Sequence, residues 1–123
     1  MIDHLSIQCA DVAASATFYD AVLAPLDGVR VLDFGDAIGY GTPSNADFWI
    51  GEQTTGEGFR ESHLAFAAAS RDAVDAFFAA AIAQNADVLR EPRLWPEYHA
   101  NYYGAFVRDP DVNNVEAVCH TPA

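Results

Sequence analysis

The chain contains no lysine: its six basic residues are all arginine, set against 18 acidic ones, for a formal charge of −12. A field of that sign repels nucleic acid and anionic membrane surfaces and gives no general attraction to phosphorylated compounds. A neutral or cationic small molecule is the easier guest. Cysteine is nearly as scarce, and Cys9 and Cys119 are too few and too far apart for a disulfide framework or a thiolate zinc site. Both read as buried thiols. Long apolar runs are missing too, since none approaches the roughly 18–20 residues needed to cross a bilayer. The opening Met1-Ile2-Asp3-His4 has neither the basic nor the apolar region of a secretory signal, which sets the expectation of a cytoplasmic location. What is present, 123 residues with 51% hydrophobic content, is one domain's worth of globular sequence.

Within it a pattern occurs twice. His4 opens an apolar segment that leads to Phe18 and Tyr19, and 59 positions later (63 − 4) His63 opens another that leads to Phe77 and Phe78. The same offset carries Asp11 onto Ser70, Val22 onto Ala81 and Leu23 onto Ile82. Leu5, Ile7 and Cys9 alternate with His4, Ser6 and Gln8, the period of a half-buried strand whose polar side faces a cleft. Asp11 then caps a helix to about Leu23 that turns Ala16, Tyr19, Val22 and Leu23 inward and ends at Pro25 and Asp27-Gly28. Short strands follow near Val29 to Phe34, Ile38 to Gly41 and Asp47 to Gly51.

Glu52 to Gly58 has no hydrophobic period and reads as a linker, so that module one spans about 1–51, the linker about 52–60 and module two about 61–123. The second strand runs from His63 to Ala68. Ser70 caps a second helix with apolar residues at Val74, Phe77, Phe78, Ala81 and Ile82. After a strand near Val88, Glu91 to Asn101 carries two prolines, Trp95, Tyr98 and His99 and reads as an ordered aromatic loop. Strands at Tyr102 to Arg108 and Val115 to Cys119 complete the copy. Strand, helix and three strands, repeated, imply an α+β fold of two tandem βαβββ modules, with a cupped mixed sheet and the helices on its outer face. One histidine per copy invites a metal at the pseudo-symmetric junction, with Glu116 as a carboxylate ligand.

Four stretches carry a resemblance. They are Ile2-Asp3-His4 at the start, Ser15 to Tyr19 with Leu23, His63-Leu64-Ala65-Phe66, and Asp109-Pro110-Asp111-Val112-Asn113-Asn114-Val115-Glu116 near the end. Together with the duplication they resemble the vicinal oxygen chelate superfamily, which includes glyoxalase I, bleomycin-resistance proteins, fosfomycin-resistance transferases and extradiol dioxygenases. The resemblance implies paired modules cupped around a divalent ion such as zinc, manganese, nickel or iron. It carries the ligand roles to His4, His63 and Glu116. In glyoxalase I the first module adds a second carboxylate on its own last strand; here that stretch is Asp47-Phe48-Trp49-Ile50, and Trp49 stands at the carboxylate's position. Two histidines and one carboxylate leave coordination positions open for water and substrate.

The leading expectation is therefore a glyoxalase-like, metal-dependent isomerase or lyase acting on an oxygen-bearing small molecule through a stabilised enolate or oxyanion. His99 and Tyr98 are the candidates for proton transfer, and Trp49, Trp95, Tyr102 and Phe106 for the walls of the pocket. His120, near the C-terminus, reads as a rim or surface residue. A non-catalytic binding protein of the bleomycin-resistance type, holding a cationic aromatic guest in an acidic cleft, is the alternative from another class. The extradiol branch is a third, although Phe106 replaces the tyrosine and Val112 the glycine of its pattern. By the same resemblance a homodimer is expected, with His4 meeting Glu116 either within one chain or across two.

Overall fold

In the computed structural model, which describes Met1–Ala123, each half of the sequence builds its own four-stranded sheet. Module one contains β1 (Leu5–Cys9), α1 (Val12–Leu23), β2 (Val29–Asp33), β3 (Ala37–Thr42) and β4 (Asn45–Glu52); module two contains β5 (His63–Ala67), α2 (Arg71–Ala83), β6 (Val88–Leu94), β7 (Tyr103–Arg108) and β8 (Asn114–Cys119). The strand orders are β1-β4-β3-β2 and β5-β8-β7-β6. In both, the first strand lies parallel to the last and the other pairings are antiparallel. The expected α+β duplication of βαβββ units is thus the observed fold.

Local chemistry explains the helix starts. The Asp11 carboxylate accepts from the Ala14 N–H at 3.1 Å, and the Ser70 hydroxyl accepts from the Ala73 N–H at 3.1 Å. Each satisfies one of the donors that a helix leaves open at its first turn, worth about 1 kcal/mol. α1 runs into a single 3₁₀ turn, Ala24–Leu26, closed by Asp27 in the left-handed region at φ 62°. Its buried side includes Ala16, Tyr19, Val22 and Leu23, as the period requires, with Ser15 and Phe18 added. On α2, Val74, Phe77 and Ala81 are buried. Ile82, expected on the same stripe, is 45% exposed at its margin, beside the fully buried Ala81.

Along each strand alternate residues divide between core and open face. Phe48 and Ile50 of β4 are buried while Asp47 and Trp49 lie opposite; Val115, Ala117 and Cys119 of β8 are buried in the core while Asn114, Glu116 and Val118 lie opposite. The helices cover the core side of both sheets and pack on one another. Phe66 meets Phe48 at 5.0 Å and Tyr19 at 6.5 Å between ring centroids, so one core of 20 buried residues joins the two modules. Both cysteines are free and buried.

Beneath that core the modules are also joined by hydrogen bonds. Fully buried Tyr19 donates to Asp109 at 2.6 Å, and Asp111 accepts from the Ala10 N–H at 3.2 Å and the Ser15 hydroxyl at 3.5 Å. Asp109 also accepts from the N–H groups of Asp111 and Asn113 and from the Asn113 side chain. The acidic turn before Glu116 is therefore the clasp between α1 and the last hairpin.

Two boundaries differ from the sequence reading. β6 extends through Glu91–Leu94, a stretch expected to be loop. Pro92 is tolerated there because β6 is the edge of its sheet and the register shifts between Arg90 and Arg93, where no ladder donor is lost. β4 reaches Glu52, so the connection between modules is 53–62.

Candidate active site

Glu116 sits on the open face of β8, opposite Ala65 of β5 and Phe106 of β7. It is nevertheless only 1% exposed. His63 Nε2 lies 3.0 Å from Glu116 Oε1, and the Tyr102 hydroxyl donates to Oε2. Gly104 makes the second contact possible, since a Cβ there would come within 3.3 Å of both Glu116 Oε2 and the Tyr102 ring. Burial, followed by the hydrogen bond to Glu116, holds the Tyr102 phenol well above its ordinary pKa. Tyr102 is therefore a donor at neutral pH. No lysine or arginine pairs with Glu116.

Around this trio opens a pocket of about 640 Å³, lined also by Arg90, Tyr98, His99, Phe106 and Asn114. His99 Nδ1 accepts from the Asn101 N–H at 3.2 Å, which leaves its proton on Nε2, 2.6 Å from His120 Nδ1. The two rings meet end to end, their centroids 4.8 Å apart. Tyr102 stands edge-on to both, at 5.4 and 5.2 Å. His120, expected only at the rim, is thus the partner that orients His99.

Of the residues singled out from sequence, the fold gathers His63, Glu116, Tyr98, His99, Tyr102 and Phe106 in one pocket. Trp95 stays out of its lining. It is 5% exposed, donates to the Gly104 carbonyl at 3.0 Å and supports Phe106 and Tyr98 from behind. Trp49 lies on the other sheet, its indole laid over Gly39 and stacked on Phe34 at 6.1 Å. His4 precedes β1 with a side chain 60% exposed and Nδ1 2.7 Å from Asp3. No three His, Cys, Asp or Glu side chains converge. Asn114 and Arg90 join the pocket through their strand parity with Glu116 and Phe106.

For a divalent ion the donor set is half complete. The His63 imidazole and the buried Glu116 carboxylate converge on the same space, and the carboxylate has no other cation to compensate it. That chemistry fits two positions of a zinc-, manganese-, nickel- or iron-type site. No third histidine, cysteine, aspartate or glutamate joins them in the cluster.

The registers clarify the duplication. Ser6 and Ala65 are equivalent by the 59-residue offset; Trp49 is paired with Ser6 and Glu116 with Ala65. Trp49 and Glu116 hold the same place in the two modules.

Comparison with known proteins agrees with this architecture. Curated proteins give no significant match. Among solved structures, a glyoxalase/bleomycin resistance protein from Albidiferax ferrireducens T118 superposes with a TM-score of 0.84 at 30% identity, over 95% of this chain and 97% of that one. A lactoylglutathione lyase from Agrobacterium tumefaciens shares the fold at 19% identity, TM-score 0.68, over 97% and 92% of the two chains. The fosfomycin resistance protein FosX from Listeria monocytogenes does so at 14% identity, TM-score 0.71, over 98% and 93%. Residues 1–117 match the family model of the Glyoxalase/Bleomycin resistance protein/Dioxygenase superfamily, and the chain belongs to that superfamily.

Proposed function

We propose that the protein is a glyoxalase-like enzyme that exchanges a proton next to an oxygen-bearing carbon of a small molecule, with isomerase or lyase outcome. The observation that carries this reading is the His63–Glu116–Tyr102 trio, a buried carboxylate without a cation at the floor of an aromatic pocket. His63 and Glu116 would hold a divalent ion; when bound, such an ion polarises substrate oxygens and stabilises developing negative charge. Tyr102 keeps one carboxylate oxygen oriented, so that Glu116 presents the other toward His63 and the pocket. Tyr98 offers a phenol at the pocket wall for proton transfer to a substrate oxygen, and His99 serves in the same role by exchanging the hydrogen bond of its Nε2 proton from His120 to the substrate. Phe106 excludes water on the sheet side.

In this reading the third ligand is His4 of a second copy, and the active unit is a homodimer. Support comes from the exposed position of His4, which pairs with Asp3 and stands outside the His63–Glu116 cluster of its own chain. Metal titration by calorimetry, with sedimentation analysis, tests both parts. Wild type binds one ion per chain; His63→Ala and His4→Ala each lose it. A mixed dimer of His4→Ala and Glu116→Gln chains recovers one intact site, since each variant supplies what the other lacks. Unchanged stoichiometry in His63→Ala sinks the metal reading, and a monomer that binds metal normally sinks the shared site.

A further inference from the structure

The chain's charge of −12 favours neutral or cationic guests, but the pocket sets one arginine against its single carboxylate. Arg30 is held by Asp20 and Asp33, Arg93 by Glu97 and Arg108 by Glu61. Arg90 has no carboxylate within ion-pair distance and lines the pocket, its guanidinium 5.2 Å from the Trp95 ring centroid. The registers place it in a row across the sheet: Arg90 on β6 opposes Phe106 on β7, which opposes Glu116 on β8. Neighbouring strands are ~4.8 Å apart, so the backbones carrying the cation and the carboxylate are separated by about 10 Å with one phenyl ring between them. At the Glu116 end, Asn114 opposes His63 and its buried Oδ1 has no hydrogen-bond partner. An orphaned acceptor of this kind costs about 1–3 kcal/mol until a donor reaches it.

From this row we infer that the site takes a hydroxylated aromatic carboxylate, its anionic group on Arg90, its ring over Phe106, and its hydroxyl at the end formed by His63 and Glu116. The planar fork of arginine suits a carboxylate, and Trp95, on which Arg93 stacks at 3.3 Å, stands 5.2 Å from the Arg90 guanidinium. The opposite polarity of the two ends fixes the direction of binding. The hydroxyl oxygen, rather than the carboxylate, then lies at the reacting end. This assignment deepens the enzymatic reading above and rests on it for the identity of the pocket.

Calorimetry with matched pairs, 4-hydroxybenzoate against 4-hydroxybenzamide and 4-hydroxyphenylacetate against its amide, tests it on the intact protein. At least one acid is expected to bind about tenfold more tightly than its amide. Arg90→Gln abolishes that preference by weakening the acid far more than the amide, Arg90→Lys keeps part of it, and Arg30→Gln, remote from the pocket, keeps all of it. The inference is overturned if neither acid binds, if acid and amide bind alike, or if the preference survives in Arg90→Gln. Failure of the metal reading has a different signature, because the acid-to-amide ratio persists in His63→Ala whether or not that variant loses metal.

Discussion

Replacing Glu116 by glutamine separates what this carboxylate does for the fold from what it does for a ligand. Glutamine keeps the shape, and its carbonyl still accepts from the Tyr102 hydroxyl while its amide reaches His63. It removes a charge that is 1% exposed and has no arginine beside it. Burying an unpaired carboxylate costs several kcal/mol, and two hydrogen bonds to a charged acceptor return most of that. A net gain of roughly 1–2 kcal/mol is expected for the glutamine variant in chelator. With an unfolding entropy of about 2.1 cal/mol/K per residue, 123 residues give roughly 4 °C per kcal/mol, so the variant melts about 4–8 °C above wild type. Metal at a hundredfold excess over its Kd stabilises wild type by about 2.7 kcal/mol, or about 10 °C, and leaves the variant unmoved. The order of the two melting curves therefore reverses on adding metal, which scanning calorimetry reads directly. A variant less stable than wild type in chelator would show that the carboxylate is a structural hydrogen-bond partner. Equal metal shifts in both proteins would remove Glu116 from the ligand set.

The module clasp gives two further predictions and the first module a third. Tyr19→Phe deletes the buried hydrogen bond to Asp109 and should lower stability by about 1.5–3 kcal/mol in urea melts, while Tyr103→Phe, whose hydroxyl bonds Asp75 at the surface, stays within about 1 kcal/mol of wild type; equal losses would show that the clasp holds nothing. Burial is the main cause that raises the Asp111 carboxyl above its ordinary pKa, so its contribution to stability is present when protonated and lost as pH rises through that raised value. Asp111→Asn should accordingly be at least as stable as wild type at pH 7, with the difference shrinking as pH falls toward the ordinary carboxylate range; a difference that grows on acidification contradicts the burial argument. Gly39→Ala places a methyl 2.8 Å from the Trp49 ring, which should push the indole off Phe34, change its fluorescence and cost about 1–2 kcal/mol. An unaltered spectrum would mean that the ring is not seated on the strand.

The fold was legible because duplication, strand alternation and both helix caps repeat one physical plan, and the structure places Asp11 and Ser70 in the capping roles their side chains suit. The pocket was legible in part, since His63, Glu116, Tyr102 and Phe106 share strand parity or stand at strand ends, where period-two patterning is informative. Trp95 was misread as a pocket wall because an aromatic in a proline-rich stretch carries no periodicity to give its direction. Pro92 hid the end of β6, as an edge strand accepts a proline that an inner strand would reject. For Arg90 and Asn114 the sequence holds the residues but not their place in the pocket. Their value lies in having no partner, and an unpaired group is defined only by everything that surrounds it.

The shared place of Trp49 and Glu116 shows how the two copies diverged. At that place module two keeps a carboxylate enclosed by Tyr102 and His63; module one keeps an indole spread over Gly39 and Phe34, with Leu32 and Val29 exposed beside it at 45% and 47%. A carboxylate in that apolar patch would lack hydrogen-bond donors, and an indole at Glu116 would lack room, because Gly104 admits the Tyr102 ring and little else. The duplicated strands therefore do not supply two equivalent half-sites. One module contributes an acid-bearing floor and the other a face with Trp49 in the acid's place, preceded by His4 at the start of β1. In the proposed dimer, His4 of one copy would complete the donor pair of the other, so the asymmetry between the modules is what a site shared by two chains requires.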